Sequence, residues 1–334
     1  MDDLKIRKDR AAGRITLTRP QALNALSHEM ANAVRAALDA WRDDDAVKLV
    51  ILDAEGDKAF CAGGDIAAIY HAAKAGDHTV GQRFFADEYQ MNAAIRDYPK
   101  PIVAFMQGFV MGGGVGLGGH ASHRVVGDTT QVAMPEAGIG MIPDVGGTWL
   151  LARAPGRVGE YLGLTGARMG AADAIHAGFA DLYLPEAEWD AAKNRLAETG
   201  DAATLAGRPL PGPSALAERD LAAFRGRSVA EIAAALEQAG DEASLKTIRR
   251  NSPLSMAATL AMVKAARGDQ RMQDSLSREY RFTHRATAEG DFIEGVRAQI
   301  IDKDRNPAWG AAADAAKVDA MLADLGEAEL KWED

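Results

Sequence analysis

The sequence of 334 residues contains a single cysteine, Cys61. No intrachain disulfide can form, and zinc sites built on several cysteines are excluded. Basic residues are in deficit: 38 Lys and Arg stand against 48 Asp and Glu, a formal net charge of −10. A sequence-independent nucleic-acid binder needs basic surface to displace counterions, so no nucleic-acid partner is expected. No apolar run approaches the ~18 residues of a membrane span, and no membrane partner is expected. The N-terminal residues Met1-Asp2-Asp3-Leu4-Lys5-Ile6 lack the basic region and apolar run of a secretory signal. These absences lead to the expectation of a cytoplasmic enzyme.

Some catalytic signatures are missing too. No serine lies in a Gly-x-Ser-x-Gly elbow. His120 and His123 are three apart but have no third ligand nearby in sequence, so no metal is expected. Cys61 has no histidine close in sequence and reads as a buried, inert thiol.

The patterns that are present describe an α/β chain. Leu4-Lys5-Ile6 and Arg14-Ile15-Thr16-Leu17 alternate as half-buried strands do. Ser27 precedes a helical stripe through Met30, Val34, Ala37, Leu38 and Trp41 and is placed to cap it. Lys48 to Leu52, Pro101 to Met106, Val125-Val126 and Gln131 to Met134 are short apolar strands. Helical periodicity resumes near Trp149. The strand–strand–helix rhythm is looser than strict βαβ alternation. Beyond about residue 190 strand signals vanish, 205–215 is a proline- and glycine-rich loop, and 253–301 is helical. The expected organisation is a core over residues 1–200 and a helical C-terminal region, 201–334, that packs on it.

Three segments carry chemistry. Phe60-Cys61-Ala62-Gly63-Gly64-Asp65 follows a strand; adjacent glycines allow close backbone approach, and Asp65 is placed to cap the next helix. Met111-Gly112-Gly113-Gly114-Val115-Gly116-Leu117-Gly118-Gly119 follows another strand. It matches the dinucleotide pattern Gly-x-Gly-x-x-Gly, but a run so rich in glycine matches many patterns by chance. Free N–H groups at such a helix start suit an oxyanion, and close helix packing is the bland alternative. Met134-Pro135-Glu136 to Asp144-Val145-Gly146-Gly147 places two carboxylates eight residues apart around a small apolar loop. A carboxylate in apolar surroundings has a raised pKa and can serve as acid or base.

Together and in this order, these segments resemble the enoyl-CoA hydratase/isomerase (crotonase) superfamily. Arg19-Pro20-Gln21-Ala22-Leu23-Asn24-Ala25-Leu26 matches a further motif of it. Phe84-Phe85-Ala86-Asp87-Glu88-Tyr89, Glu294-Gly295-Val296-Arg297 and Ile301 to Trp309 are similar to its hydrolase branch. The resemblance covers nearly the whole chain and is weakest over 185–250. It implies a crotonase-like spiral of ββα units with a helical C-terminal region, an acyl-CoA substrate, and an oxyanion hole at the N–H groups of Gly64 and Gly113. It maps substrate contacts to Glu88, Gly113, Glu136 and Asp144, with Glu136 and Asp144 catalytic.

One departure separates the branches. Hydratases of the superfamily use two glutamates on one water; the first falls at Gly116 here and the second at Glu136. At Asp144 the hydratases have a small residue. The resemblance therefore implies hydrolysis of a short β-hydroxyacyl-CoA, foremost 3-hydroxyisobutyryl-CoA as in valine catabolism. The alternatives are a hydratase or isomerase of the same fold and a silent acyl-CoA binding protein. No metal or redox cofactor is implied, since CoA arrives as part of the substrate. Arg19 is a candidate for the CoA phosphates. The superfamily forms trimers or pairs of trimers, and the C-terminal helices could cover that surface, which leaves a homo-oligomer open.

Overall fold

A computed structural model describes residues 2–310 and 314–332. Met1, 311–313 and 333–334, which belong to the N-terminal reading and to the 201–334 region, lie outside the described residues.

The chain divides into two compact units, and each is built from several stretches of sequence. The first holds residues 1–65, 87–133 and 168–218; the second holds 66–86, 134–167 and 219–334. This division in space interleaves along the chain, unlike a division into 1–200 and 201–334.

The first unit contains every strand found among the described residues. A six-stranded sheet has the order β1 (Leu4–Asp9), β2 (Ala12–Leu17), β3 (Leu49–Ala54), β5 (Ile102–Met106), β7 (His123–Val126), β9 (Leu182–Tyr183). A three-stranded sheet pairs β4 (Ala59–Cys61), β6 (Phe109–Met111) and β8 (Gln131–Ala133). Among these strands β1 and β2 pair antiparallel, and the other pairs are parallel. Each turn of the spiral thus gives one strand to the large sheet and the next to the small one before the chain crosses back. This is the expected ββα spiral.

Parallel strands covered on both faces read as continuous apolar runs. β3 begins Leu49-Val50-Ile51-Leu52 and β5 is Ile102-Val103-Ala104-Phe105-Met106, all buried. One face of this sheet, carrying Leu49, Ile51, Val103, Phe105 and Val125, packs on Trp189 and Leu196 of the helix Trp189–Thr199. The Trp189 indole donates to the Leu184 carbonyl at 2.9 Å, which satisfies its one polar atom. The amphipathic helix expected after Ser27 spans His28–Arg42; the Ser27 hydroxyl accepts from Met30 N–H, and the predicted stripe is buried.

A buried charge cluster closes one end of the sheet. Asp53 accepts from Arg14 at 2.5 Å and from the Thr16 hydroxyl at 2.7 Å, and Lys193 Nζ lies 3.2 Å away. Burial pushes the Asp53 carboxyl up, but Lys193, Arg14 and Thr16 outweigh it and hold it below the usual carboxylate range.

The second unit is helical. The helix Pro253–Ala266 packs against Gly147–Arg153 and Val158–Thr165, and the helix Met272–Glu289 packs against both Pro253–Ala266 and Gly147–Arg153. Buried Glu160 is held by Arg157 at 2.7 Å and Arg267 at 2.8 Å. No strand follows residue 183 among the described residues, as the sequence pattern indicates. The 253–301 helical stretch is broken into three helices, the last Phe292–Val296, and then a π-helical turn, Arg297–Ile301. Among the described residues, no helix is long and apolar enough to cross a membrane.

Because the folded Asp53 pKa is depressed, its stabilisation is present above the unfolded value and is lost as pH falls through the folded one. Asp53→Asn should therefore cost about 3 kcal/mol at pH 7, where it strands the two cations. Urea denaturation should show that gap to wild type shrinking steadily below about pH 4. A gap of equal size at pH 7 and pH 3 would contradict the ion-pair role.

Candidate active site

In the first unit the motif Arg19 to Leu26 shapes the turn that carries Gly64. Leu23 and Asn24 adopt left-handed backbone (φ 52° and 54°). The buried Asn24 side chain stitches that loop down: its amide donates to the carbonyls of Glu55 and Ala59, and its oxygen accepts from Arg19 N–H. The loop then pairs with the glycine turn. Ala62 N–H donates to Leu23, Leu26 N–H to Gly63, and Asp65 N–H to Leu26. The N–H groups of Ala62 and Asp65 are thereby occupied, while that of Gly64 has no acceptor among the described residues.

Gly113 is the first residue of the helix Gly113–Gly118, a position whose N–H has no intrahelical partner. Its place is fixed by Gly114. A Cβ on Gly114 would stand 2.1 Å from the Cys61 carbonyl oxygen, so only glycine lets this helix approach β4 so closely. Gly118 serves the same packing, since a Cβ there would meet Met106 Sδ at 2.5 Å. The result is convergence: a Cβ built on Gly113 would lie 3.4 Å from Gly64 N and 2.7 Å from Glu88 Oε1.

Glu88, only 2% exposed, comes from the helix Thr79–Arg96. That helix is anchored to His28–Arg42 by His28 on Asp87 (2.6 Å) and by Arg35 donating to the Gln90 carbonyl (3.1 Å). Gly64, Gly113 and Glu88 are thus brought together.

Two expectations fail here. Asp65 does not cap the following helix, whose N-cap is Ile66; the Asp65 carboxylate is drawn instead to Arg19 Nη2 at 3.2 Å. Arg19 is in turn committed to protein oxygens, those of Asp65, Ala25 and Asp3, and is no longer a candidate for phosphate.

In the second unit, Glu136 opens a 3₁₀ turn, Glu136–Ile139, with Pro135 before it and Gly140 (φ 74°) closing it. Glu136 and Asp144 are each 6% exposed. The turn is gripped from the C-terminal side. Ser252 N–H donates to the Ala137 carbonyl at 3.0 Å. A Cβ on Gly295 would stand 2.1 Å from the Ile139 carbonyl oxygen, and one on Gly140 2.4 Å from the Asp291 backbone. The hydrolase-type motif Glu294 to Arg297 therefore buttresses the Glu136 turn. Arg297 ties it further, pairing with Glu294, Asp302 and Asp304 at 2.6–2.8 Å.

Asp144 precedes Val145, which holds a left-handed conformation (φ 55°) that a β-branched residue adopts only under constraint. The constraint comes from Glu279, which sequence reasoning missed. Fully buried on the helix Met272–Glu289, it accepts from Gly146 N–H (2.7 Å), Thr148 N–H (2.9 Å) and the Thr148 hydroxyl (2.5 Å). Burial pushes its carboxyl up to about 7; the bonds from Thr148 and Gly146 oppose this and the Asp144 charge adds to it. The signal available was an acidic residue on the buried stripe Ser275, Leu276, Glu279, Tyr280, Thr283. Among the described residues, no group of three or more His, Cys, Asp or Glu is placed to hold a metal ion.

Burial pushes the Cys61 thiol up to about 12, and Glu88 adds to this, so the thiolate is absent near neutrality. Iodoacetamide at pH 8 should leave Cys61 unmodified in the native protein and alkylate it rapidly in urea, read by mass spectrometry. Fast native labelling would contradict the buried, packed thiol.

The enoyl-CoA hydratase/isomerase family model matches residues 12–325. A protein from Gallus gallus named 3-hydroxyisobutyryl-CoA hydrolase, mitochondrial, is 38% identical over 93% of this chain and 85% of its own length. The Arabidopsis thaliana 3-hydroxyisobutyryl-CoA hydrolase 1 is 36% identical over 88% and 83%. A crystal structure described as an enoyl-CoA hydratase from Rhodobacter sphaeroides superposes with a TM-score of 0.95 at 50% identity, covering 99% of this chain and all of the other. The expected cytoplasmic location is overturned: relatives from Gallus gallus, Xenopus tropicalis and Danio rerio are named mitochondrial. Composition and net charge report solubility, and solubility does not select a compartment. By sequence over nearly its whole length, and by fold, the chain belongs to the enoyl-CoA hydratase/isomerase family.

Proposed function

We propose that this protein hydrolyses 3-hydroxyisobutyryl-CoA to 3-hydroxyisobutyrate and CoA, a reaction that would serve valine degradation. The observation that carries this reading is the close approach of Gly113 to the backbone nitrogen of Gly64 beside buried Glu88, with no acceptor for either amide among the described residues. Fixed N–H donors stabilise the oxyanion that forms when a thioester carbonyl is attacked. Each is worth about 3 kcal/mol of barrier.

In this reading the thioester oxygen accepts from both amides. Glu136 delivers the attack on the carbonyl carbon, as base for a water or as nucleophile through a mixed anhydride that water then hydrolyses to the acid and free Glu136. The C–S bond breaks and CoA leaves; a thiol of pKa about 8.5 needs little acid assistance. Asp144 holds the 3-hydroxyl, and Glu88 lines the acyl pocket. The chemistry asks for no metal or redox cofactor. Hydration of a C=C bond asks for a second glutamate at position 116, where this chain has glycine inside a buried helix. That supports hydrolysis over the activity for which the Rhodobacter sphaeroides structure is named. The names of the curated relatives support it as well.

A thiol-release screen over short acyl-CoAs tests the proposal. Free CoA should appear from 3-hydroxyisobutyryl-CoA and not from crotonyl-CoA. Glu136→Gln should lower kcat by about 10²–10⁴-fold. Gly114→Ala, which pushes the two amides apart, should lower it by about a hundredfold or more. Hydration of crotonyl-CoA without thiol release, or full activity in Glu136→Gln, would overturn the proposal.

A further inference from the structure

We propose that Glu279 is a positioning residue that aims Asp144 at the substrate's 3-hydroxyl, and so sets the preference for hydroxylated acyl groups. This rests on the hydrolase reading and on the role given there to Asp144. Glu279 lies outside every motif that carries the family likeness, on a helix more than a hundred residues further along the chain.

The geometry is specific. Asp144 sits at the start of a tight turn closed by Gly147 N–H on its own carbonyl at 2.6 Å. Val145 and Gly146 follow, both with positive φ, before the helix Gly147–Arg153 begins. A turn forced through two left-handed residues, one of them valine, holds its shape only if its ends are fixed. The Glu279 carboxylate fixes the far end. One oxygen takes the Gly146 N–H, and the other takes both the N–H and the hydroxyl of Thr148. It caps the start of the helix from outside the local sequence, a task usually given to the Ser, Thr, Asp or Asn just before it. Gly146, at that position, has no side chain to do so.

A buried carboxylate so close to the Asp144 charge is a costly choice for a merely structural cap. A glutamine in its place offers one oxygen where three donors need two, and turns an NH₂ group toward an N–H. The turn would relax, and Asp144 with it. A displacement of about 1 Å in a substrate-orienting group costs up to a hundredfold in rate. That loss should fall on substrates carrying the hydroxyl.

The test compares paired ligands that differ only in the 3-hydroxyl: 3-hydroxyisobutyryl-CoA and isobutyryl-CoA for kcat/KM, and their non-hydrolysable thioether analogues for Kd by calorimetry. Wild type should prefer the hydroxylated member in both measurements. Glu279→Gln should erase that preference by about tenfold to a hundredfold, with little change for the deoxy pair. Thr148→Val, which removes one of the three bonds, should do so in part, and Thr148→Ser should restore it; these two serve if Glu279→Gln does not fold. Equal losses on both ligands, or an unchanged preference in folded Glu279→Gln and in Thr148→Val, would overturn the assignment. So would a wild type with no hydroxyl preference, even if it hydrolyses both thioesters. A hydroxyl preference in thioether binding that depends on Glu279, with no CoA released from either thioester, would sustain the assignment and remove the hydrolase reading instead.

Discussion

The approach of Gly114 to the Cys61 carbonyl is the contact on which the rest of the first unit's chemistry depends. Two backbone segments meet with no side chain between them, at a distance where a single methyl would overlap an oxygen. Everything nearby is arranged to make that meeting rigid. Asn24 pins one loop and Gly118 lets the short helix settle on Met106, while Glu88 closes the third side from a helix anchored elsewhere. In the proposed reaction, backbone amides so held would need no reorganisation when charge develops in front of them.

The second unit solves a different problem, that of keeping carboxylates buried and oriented. Glu136 rides on a turn that glycines allow to press against the backbone of two C-terminal segments. Asp144 rides on a turn held in a strained form by a carboxylate from another helix. Such burial costs free energy, and it is tolerated where hydrogen bonds replace the lost water. The C-terminal helices, which carry no recognisable catalytic motif, thus fix the shape of the loops that do. One charged pair, Glu160 with Arg267, ties the end of the helix Pro253–Ala266 to the helix Val158–Thr165.

Much of this was legible in the sequence because it is local. Ser27 and the stripe from Met30 to Trp41 announce a capped helix, and the runs around Ile51 and Val103 announce buried strands. The glycines at 113–114 mark close approach, which the structure finds, and at 63–64 the need for glycine lies in the positive φ of Gly63. What was not legible depends on partners distant in sequence. Asp65 has the residue type and place of a helix cap, but Arg19 competes for it and wins with a charge. Arg19 looks like an anion binder until its three oxygen partners are known. Glu279 stands out only as an acidic residue on its helix's buried stripe; folding shows that it faces Gly146 and Thr148. The interleaving of the two compact units has the same cause, since contacts between remote segments leave no mark in periodicity.

The central claim, that paired amides polarise a thioester carbonyl, has a direct readout in the C=O stretching frequency of bound substrate. Difference infrared spectroscopy on Glu136→Gln, with 3-hydroxyisobutyryl-CoA labelled at the carbonyl carbon, isolates that band before turnover. The account predicts a clear shift to lower frequency relative to the free thioester, abolished when Gly114→Ala is added. A bound carbonyl that absorbs where the free one does, in a variant shown by calorimetry to be saturated, would contradict it.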